Sequence, residues 1–230
     1  GAAGADGVQV FTEFFQAAPV AGASPSRRTE VRLSHDGQRL HLSVRAYDDQ
    51  PKGIVARQMR RDELAIRSED HVAIVIDAEG AGRNGYLFAV NALGAQFDAL
   101  VYDGGEIRTD WDALWRSEAH IEADGWRAEI DIPLSVFGRA AKAGVWRFNV
   151  ERWMPRGSER VRLAAAQPDK DVYTLGDAIR MAAIEPAKEG WGLRLKPSLR
   201  LSHESASVSG TGEARTRLAP ALEFFHETRF

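Results

Sequence analysis

Three of the six tryptophans are the residues of this sequence best suited to bind a ligand. Trp111 and Trp115 lie in a polar stretch, and Trp153 is out of phase with the apolar residues of its predicted strand. An indole presents a flat apolar face on which the C–H face of a sugar ring can stack. We predict that these three rings are stacking platforms, with packing against the core as the alternative for each. Trp126 and Trp146 are in phase with neighbouring aliphatic residues and are predicted to be core.

No pattern of residues indicates catalysis. Two carboxylates about 5 to 9.5 Å apart are what glycoside hydrolysis requires, but among 33 acidic residues some pair always meets that condition. The sequence contains no nucleophile elbow, no His-Glu-x-x-His motif, no phosphate loop and no dinucleotide fingerprint. The six histidines include no pair at i and i+4. We therefore predict that the protein is not an enzyme.

The composition excludes several other classes of protein. The chain has 230 residues and no cysteine, which rules out a disulfide framework, a thiolate zinc site and an iron–sulfur cluster. The formal net charge of -3 gives no electrostatic reason to expect nucleic acid as a partner. The sequence also lacks the roughly 18 consecutive apolar residues of a membrane-spanning helix.

Alternation of apolar and polar residues with a period of two dominates the chain and predicts β-strands. On both sides of a predicted hairpin turn at 35–38, apolar residues occupy every second position of 31–33 and 40–46. Segment 72–76 is apolar throughout, which is typical of a central strand. The other predicted strands in this part of the chain are 86–90, 97–102, 126–132 and 146–150. This spacing predicts an all-β fold, a jelly-roll-like antiparallel β-sandwich.

The last forty residues differ in pattern and predict a separate β-hairpin. Residues 191–201 alternate strictly, a Ser/Gly-rich stretch follows at 205–212, and 218–224 alternate again. We therefore divide the chain into a sandwich domain, 1–189, and a hairpin extension, 190–230. A lone hairpin is marginally stable in water, and an exposed edge tends to recruit another strand. We therefore predict that the extension docks on the sandwich or pairs with another chain to form a dimer.

The motifs of residues 8–165 resemble, in order, those of family 9 carbohydrate-binding modules. They are TEVRLSHD (29–36), LHLSVRAYD (40–48), RRD (60–62), DHVAIVID (70–77), GYLFAVN (85–91), GAQFD (94–98), WDALW (111–115), GWRAEIDIP (125–133) and WRFNVER (146–152). Within the family, the chain is similar to bacterial proteins that carry the module ahead of an outer-membrane-like β-barrel. The resemblance implies non-catalytic saccharide binding in an exported protein of the periplasm, outer membrane or extracellular space, taking part in polysaccharide use. It also implies a β-barrel or catalytic domain as partner, and makes the hairpin the start of a barrel.

The resemblance further implies a sugar held between aromatic rings with charged and amide groups nearby. Arginine and carboxylate groups suit vicinal hydroxyls because each offers two hydrogen-bonding atoms in one plane. The alternative for Arg60 and Asp62 is an ion pair that fixes a loop, and for Asn91 it is capping of backbone groups. By position, the predicted ligand-binding residues are Trp111, Trp115, Trp153, Arg60, Asp62, Asn91 and Glu151.

Structural calcium is a further expectation, because modules of this family often hold it. The oxygen-rich loops that could supply ligands contain Asp48, Asp49, Asp103 and Glu106. None has the regular spacing of an EF-hand. No other cofactor is predicted.

Two other functions stay open on the sequence. One is a structural periplasmic domain that supports a β-barrel and binds no free ligand. The other is a haem-binding subunit, because the same sandwich superfamily includes such proteins; Met59, Met154 and His71 are the residues that could ligate iron. Burial of Trp111 and Trp115 would favour the structural function, and a groove open at either ring would favour binding.

Overall fold

The chain folds into two units, Gly1–Ala187 and Lys188–Phe230. The computed structural model describes residues 7–102, 105–138, 144–167, 169–181 and 184, and the backbone alone of 139–140, 193–206 and 213–226. No helix among these residues is long and apolar enough to cross a membrane.

The first unit is built almost entirely of β-strands, which confirms the predicted all-β class. Its strands are β1 (Gln9–Phe11), β2 (Phe15–Ala18), β3 (Thr29–His35), β4 (Arg39–Tyr47), β5 (His71–Asp77), β6 (Gly85–Asn91), β7 (Gln96–Val101), β8 (Ile107–Arg108), β9 (Arg116–Glu122), β10 (Gly125–Pro133), β11 (Arg147–Met154), β12 (Glu159–Arg162) and β13 (Ile179–Arg180). Short 3-10 helices span Pro51–Gly53, Leu64–Ser68, Leu134–Ala140, Pro155–Gly157 and Leu175–Asp177.

The strands form two antiparallel sheets, as predicted for a sandwich. One sheet has five strands in the order β1-β3-β4-β10-β9, and the other has the order β2-β12-β11-β5-β6-β7-β8, with β13 also paired to β11. The turn between β3 and β4 is the predicted hairpin. Backbone N–H groups of Gln38 and Arg39 donate to Asp36 Oδ1 at 2.8 and 2.7 Å, and these bonds lower the pKa of Asp36 to about 2.

Strand β5 has apolar side chains on both faces of the larger sheet. It lies between β11 and β6, in the centre of the larger sheet, as its continuous apolar run predicts. Val72, Ile74 and Ile76 point into the core between the sheets, whereas Ala73 and Val75 belong to a second apolar cluster on the outer face. The larger sheet is therefore covered on both faces, and its outer face needs its own cover.

That cover comes from irregular segments. The 3-10 helix Leu64–Ser68 contributes Ile66, and segment 172–178 contributes Val172 and Leu175 to the outer cluster.

Trp126 and Trp146 lie in the core between the sheets with almost no exposed surface, as their phase predicts.

The second unit is a two-stranded antiparallel hairpin. Strands β14 (Leu193–Ala206) and β15 (Glu213–His226) pair continuously from Leu193 opposite His226 to Ala206 opposite Glu213.

Candidate functional site

A pocket of about 180 Å³ opens on the outer face of the larger sheet. It lies where the strand register brings small side chains together. Ala73 of β5 is paired with Ala89 of β6, Phe97 of β7 follows on one side, and Glu151 of β11 follows on the other. Because two methyl side chains occupy the middle of this row, the surface is depressed between a phenyl ring and a carboxylate.

The pocket combines an apolar floor with a polar rim. Ala73, Leu87, Ala89 and Phe97 form apolar lining, while Leu64 and Ile66 of the covering 3-10 helix and Val172 add further apolar surface. The polar lining residues are Arg67, His71, Thr109, Glu151, Arg160 and Tyr173. An apolar recess with a few fixed polar groups is the usual form of a small-molecule site.

Glu151 is buried and held by two arginines. Its Oε1 accepts a hydrogen bond from Arg160 Nη1 at 2.7 Å, and its Oε2 accepts one from Arg162 Nε at 2.5 Å. Arg162 is itself fixed, because its Nη1 donates to the carbonyl oxygens of Ala165 and Lys170. The carboxylate therefore has a set orientation, with both of its oxygens partly used.

Arg160 is positioned by an aromatic ring as well as by Glu151. Its Cζ lies 4.3 Å from the ring centroid of Trp153, its partner across β11 and β12. Trp153 thus supports a pocket residue with one face of its indole. Its Nε1 is buried and has no hydrogen-bond partner in the part of the chain that is described.

His71 presents an acceptor to the pocket. Its Nδ1 lies 2.8 Å from the carbonyl oxygen of Glu69, and since a carbonyl can only accept, Nδ1 carries the proton. Burial lowers the pKa of His71, so the ring is neutral at pH 7. Nε2 is then left with a free lone pair, and this atom has no hydrogen-bond partner among the described residues.

Tyr173 also lines the pocket. Its ring packs against the outer apolar cluster, and burial raises the pKa of its hydroxyl. The hydroxyl therefore stays protonated at neutral pH and can both donate and accept.

Trp111 and Trp115 lie away from this pocket, against the core between the sheets. Trp115 is 5% exposed, its ring centroid is 5.3 Å from that of Phe88, and its Nε1 donates to Asp98 Oδ2 at 2.7 Å. Trp111 is half-buried and packs against Tyr86, with the two ring centroids 5.3 Å apart. Both rings pack against the core, as the alternative describes, and ligand binding by them stays a prediction.

Asn91 and the 60–62 loop have structural contacts. The Asn91 Nδ2 donates to the carbonyl oxygen of Gln58 and to Glu69, each at 2.8 Å, and its Oδ1 accepts from two backbone N–H groups. Its side chain is buried and its amide is fully used, as in the capping alternative. Arg60 is exposed, and Asp62 accepts a hydrogen bond from Arg61 rather than from Arg60.

Arg61 makes the most contacts of that loop, and no sequence pattern distinguishes it from Arg60. Its guanidinium donates to Gln96 Oε1 at 2.6 Å, to Asp112 at 2.8 Å, and also to Asp98 and the carbonyl oxygen of Ala113. It therefore joins the 60–62 loop to β7 and to the segment that carries both tryptophans.

Two of the predicted calcium ligands, Asp48 and Asp49, pair with arginines. Asp48 is buried, and both of its oxygens accept hydrogen bonds from Arg156 at 2.7 Å. Asp49 pairs with Arg27, Glu106 is exposed, and Asp103 lies outside the described residues. Within the described ranges, no three His, Asp or Glu side chains are close enough together to hold a metal. Calcium stays a prediction without a described ligand set.

The candidate haem ligands do not converge. His71 is on the outer face of the larger sheet, Met154 points into the core between the sheets, and Met59 is 79% exposed. No pair of them faces one space where an iron could lie.

Of the predicted binding residues, the pocket thus includes Glu151 directly and Trp153 through Arg160. Sequence reasoning missed Arg67, Arg160 and Tyr173 as pocket residues, and considered His71 only as a haem ligand. One signal was present: alanines at 73 and 89 interrupt apolar strands that otherwise carry large side chains.

Comparison with known proteins supports the fold. No protein-family model matches the sequence, and no curated protein matches it closely enough to count as a relative. Among solved structures, a protein from Bacteroides uniformis, provisionally described as carbohydrate-binding, is similar with a TM-score of 0.58 at 11% identity, over 74% of this chain and 85% of that one. A family 9 carbohydrate-binding module from Caldicellulosiruptor kristjanssonii, in complex with glucose, has a TM-score of 0.50 at 12% identity, over 74% and 82% of the two chains. The first unit therefore has the fold of these modules, as the resemblance implies.

Proposed function

We propose that this domain binds a saccharide, without catalysis, in the pocket on the outer face of the larger sheet. The observation that carries the proposal is the lining of the pocket. An apolar floor lies beside groups whose orientations are fixed: the paired carboxylate of Glu151, the guanidinium of Arg160 and the neutral imidazole of His71. Sugars need this combination, because their rings have apolar C–H faces and rims of hydroxyls.

The volume of the pocket limits the size of the ligand that it can bind. Its volume of about 180 Å³ is below the range of roughly 300–1,000 Å³ that is common for drug-sized ligands. We infer that one sugar ring enters the pocket, with Tyr173 beside it, while any further rings of a longer glycan lie outside.

A glycan-array screen tests the proposal, with Thr109→Trp as the informative variant. Thr109 is exposed at the pocket rim, so an indole there covers the opening without disturbing the core. Thr12→Trp is the matched control, because Thr12 is also exposed but does not line the pocket. We expect hits that survive in the control and disappear in Thr109→Trp. Hits that survive in both variants would place the site elsewhere.

The same screen, run with calcium and with a chelator, tests whether the predicted calcium matters. Hits lost only with the chelator would support a calcium requirement, and equal hits in both conditions would contradict it.

We further propose that the domain acts in an exported protein of the cell envelope that takes part in polysaccharide use. The resemblance of residues 8–165 to modules placed ahead of a β-barrel supports this role. In such a protein, binding raises the effective concentration of the partner domain at its glycan without any new chemistry.

A structural role without a free ligand is the second candidate. The observation that favours it is the packing of Trp111 and Trp115 against the core, which leaves Trp115 without an open ring face. A folded wild-type protein that gives a blank glycan array would support this candidate over saccharide binding.

A further inference from the structure

We propose that the pocket selects a sugar ring that carries a carboxylate, a uronic acid residue, over the neutral sugar of the same configuration; this rests on the proposed saccharide binding.

The charged side chains around the pocket are predominantly positive. Three guanidinium groups, those of Arg67, Arg160 and Arg162, lie at or behind its wall, and among the described residues that line it Glu151 is the single carboxylate. Arg162 and Arg160 both donate to Glu151, and the charge of Arg162 alone balances that of the carboxylate. Asp171, on the covering segment, is a second carboxylate nearby, and its Oδ1 accepts hydrogen bonds from the backbone N–H of Tyr173 and from Thr174 Oγ1. Among these described residues, three guanidinium groups thus stand against two carboxylates. The pocket therefore carries an excess of positive charge.

Two of these arginines, Arg67 and Arg160, have hydrogen-bonding capacity left. Arg67 forms no ion pair with any residue in the described ranges. Arg160 uses one Nη1 bond for Glu151, and its other N–H groups have no partner among the described residues. A guanidinium binds a carboxylate through two parallel N–H···O bonds, which a hydroxyl cannot reproduce. A carboxylate ligand thus supplies what these groups lack.

The remaining polar groups and the apolar floor of the pocket suit a uronic acid better than a simple anion. His71 Nε2 is an acceptor and needs a donor from the ligand, and the oxygens of Glu151 can each accept one more hydrogen bond. The apolar floor at Ala73 and Ala89 needs a C–H face. A ligand that carries a carboxylate, donor hydroxyls and an apolar ring face satisfies all three parts of the pocket together.

Isothermal titration calorimetry tests the inference with three probes: the methyl glycosides of glucuronic and galacturonic acid, the corresponding neutral methyl glycosides, and the methyl esters of the uronic acids. The esters keep the shape and remove the charge. We expect each uronate to bind at least tenfold more tightly than its ester and its neutral counterpart. The difference should shrink as salt is added, since charge pairs near the surface are screened.

Two variants and a control connect the preference to the named groups. Arg67→Gln and Arg160→Gln should each reduce the ratio of uronate to ester affinity by fivefold or more. Arg83→Gln should leave the ratio unchanged, because Arg83 is exposed and does not line the pocket. Arg67 is also exposed, so its replacement keeps the test informative even if Arg160→Gln fails to fold.

The possible outcomes separate this inference from the proposed function. Equal affinities for uronates, esters and neutral glycosides would overturn the charge selection and leave saccharide binding intact. A uronate preference that persists in both arginine variants would also overturn it, because the charge would then act elsewhere. Absence of binding by every sugar, on arrays as well, would overturn both.

Discussion

Arg160 lies over the indole of Trp153, with its Cζ 4.3 Å from the ring centroid, while its Nη1 donates to Glu151 at 2.7 Å. The ring and the carboxylate hold one guanidinium from two directions, at the rim of the pocket. Arg160 loses less conformational freedom on binding a ligand than an unrestrained arginine would. If the pocket binds a saccharide as proposed, Trp153 contributes to binding through Arg160, without contact between its ring and the sugar.

Replacement of Trp153 should therefore weaken binding indirectly. Trp153→Leu removes a cation–π contact worth about 1 kcal/mol, which corresponds to a roughly fivefold loss of sugar affinity, whereas Trp153→Phe should keep most of it. Trp111→Leu is the control, since it affects packing outside the pocket and should leave the affinity unchanged. Calorimetric titration of the three variants checks this. A larger loss in Trp111→Leu than in Trp153→Leu would reverse the assignment.

Trp115 should contribute to stability rather than to binding. Trp115→Phe keeps an aromatic ring in the core but removes the 2.7 Å hydrogen bond to Asp98, whose pKa burial already raises. We expect a loss of about 1–3 kcal/mol in the free energy of unfolding, the usual cost of an unmatched buried polar group, and no change in sugar affinity. Urea denaturation and titration measure the two quantities. Unchanged stability with lost affinity would return Trp115 to the binding site.

The contact between Arg61 and Asp98 can be tested by a double-mutant cycle. The Asp98 side chain is fully buried, and that of Arg61 is 33% exposed. Arg61→Met should destabilise the fold by about 1–3 kcal/mol, because a buried carboxylate loses one of its donors. In an Asp98→Asn background the same substitution should cost less, and urea denaturation gives the coupling. Additive effects would mean that the pair does not interact energetically.

His71 should make stability depend on pH. Burial lowers its pKa in the folded state, while in the unfolded chain it titrates near 6.5. The unfolded state therefore binds a proton first as the pH falls. The stabilising contribution is complete above about pH 6.5 and is lost as the pH falls towards the lower, folded-state pKa. Glu151 favours the proton on His71, and Arg160 and Arg67 oppose it.

His71→Gln should remove this contribution, so that the free energy of unfolding changes less between pH 7.5 and pH 5.5 than in the wild type. His41 is a control of opposite sign. Burial opposes its charge, but hydrogen bonds to Asp131 and Asp36 outweigh it and raise the pKa of His41. The contribution of His41 to stability is complete below its pKa in the unfolded chain and is lost as the pH rises through its higher pKa in the folded state. Equal pH dependence in wild type and His71→Gln would contradict the buried neutral imidazole.

Much of the fold could be predicted from sequence, because period-two alternation records which side chains face a core. That rule placed Trp126 and Trp146 correctly, and the continuous apolar run of 72–76 identified β5 as central. It failed to locate Arg61, since side chains in loops follow no period and the neighbouring Arg60 looks equivalent. The sequence also contains no local signal that Asp98 would accept a hydrogen bond from Trp115, 17 residues away.

The pocket was harder to predict than the fold for the same reason. It depends on the register of four strands, which places Ala73 beside Ala89 and Glu151 beside Arg162. Glu151 was predicted from its position in the motif at 146–152, on the polar face of its strand. Arg160 was not, because its role appears only once β12 is paired with β11.

The most direct test of the central claim is a methyl NMR titration of the wild-type domain with the best ligand from the glycan array. We expect the methyl signals of Ala73 and Ala89, at the floor of the pocket, to shift and saturate together. Ala113 is buried and lies between Trp111 and Trp115 in the sequence, and its methyl signal should not shift. Saturating shifts at Ala113 with unchanged signals at Ala73 and Ala89 would contradict binding in this pocket and place the sugar at the two tryptophans.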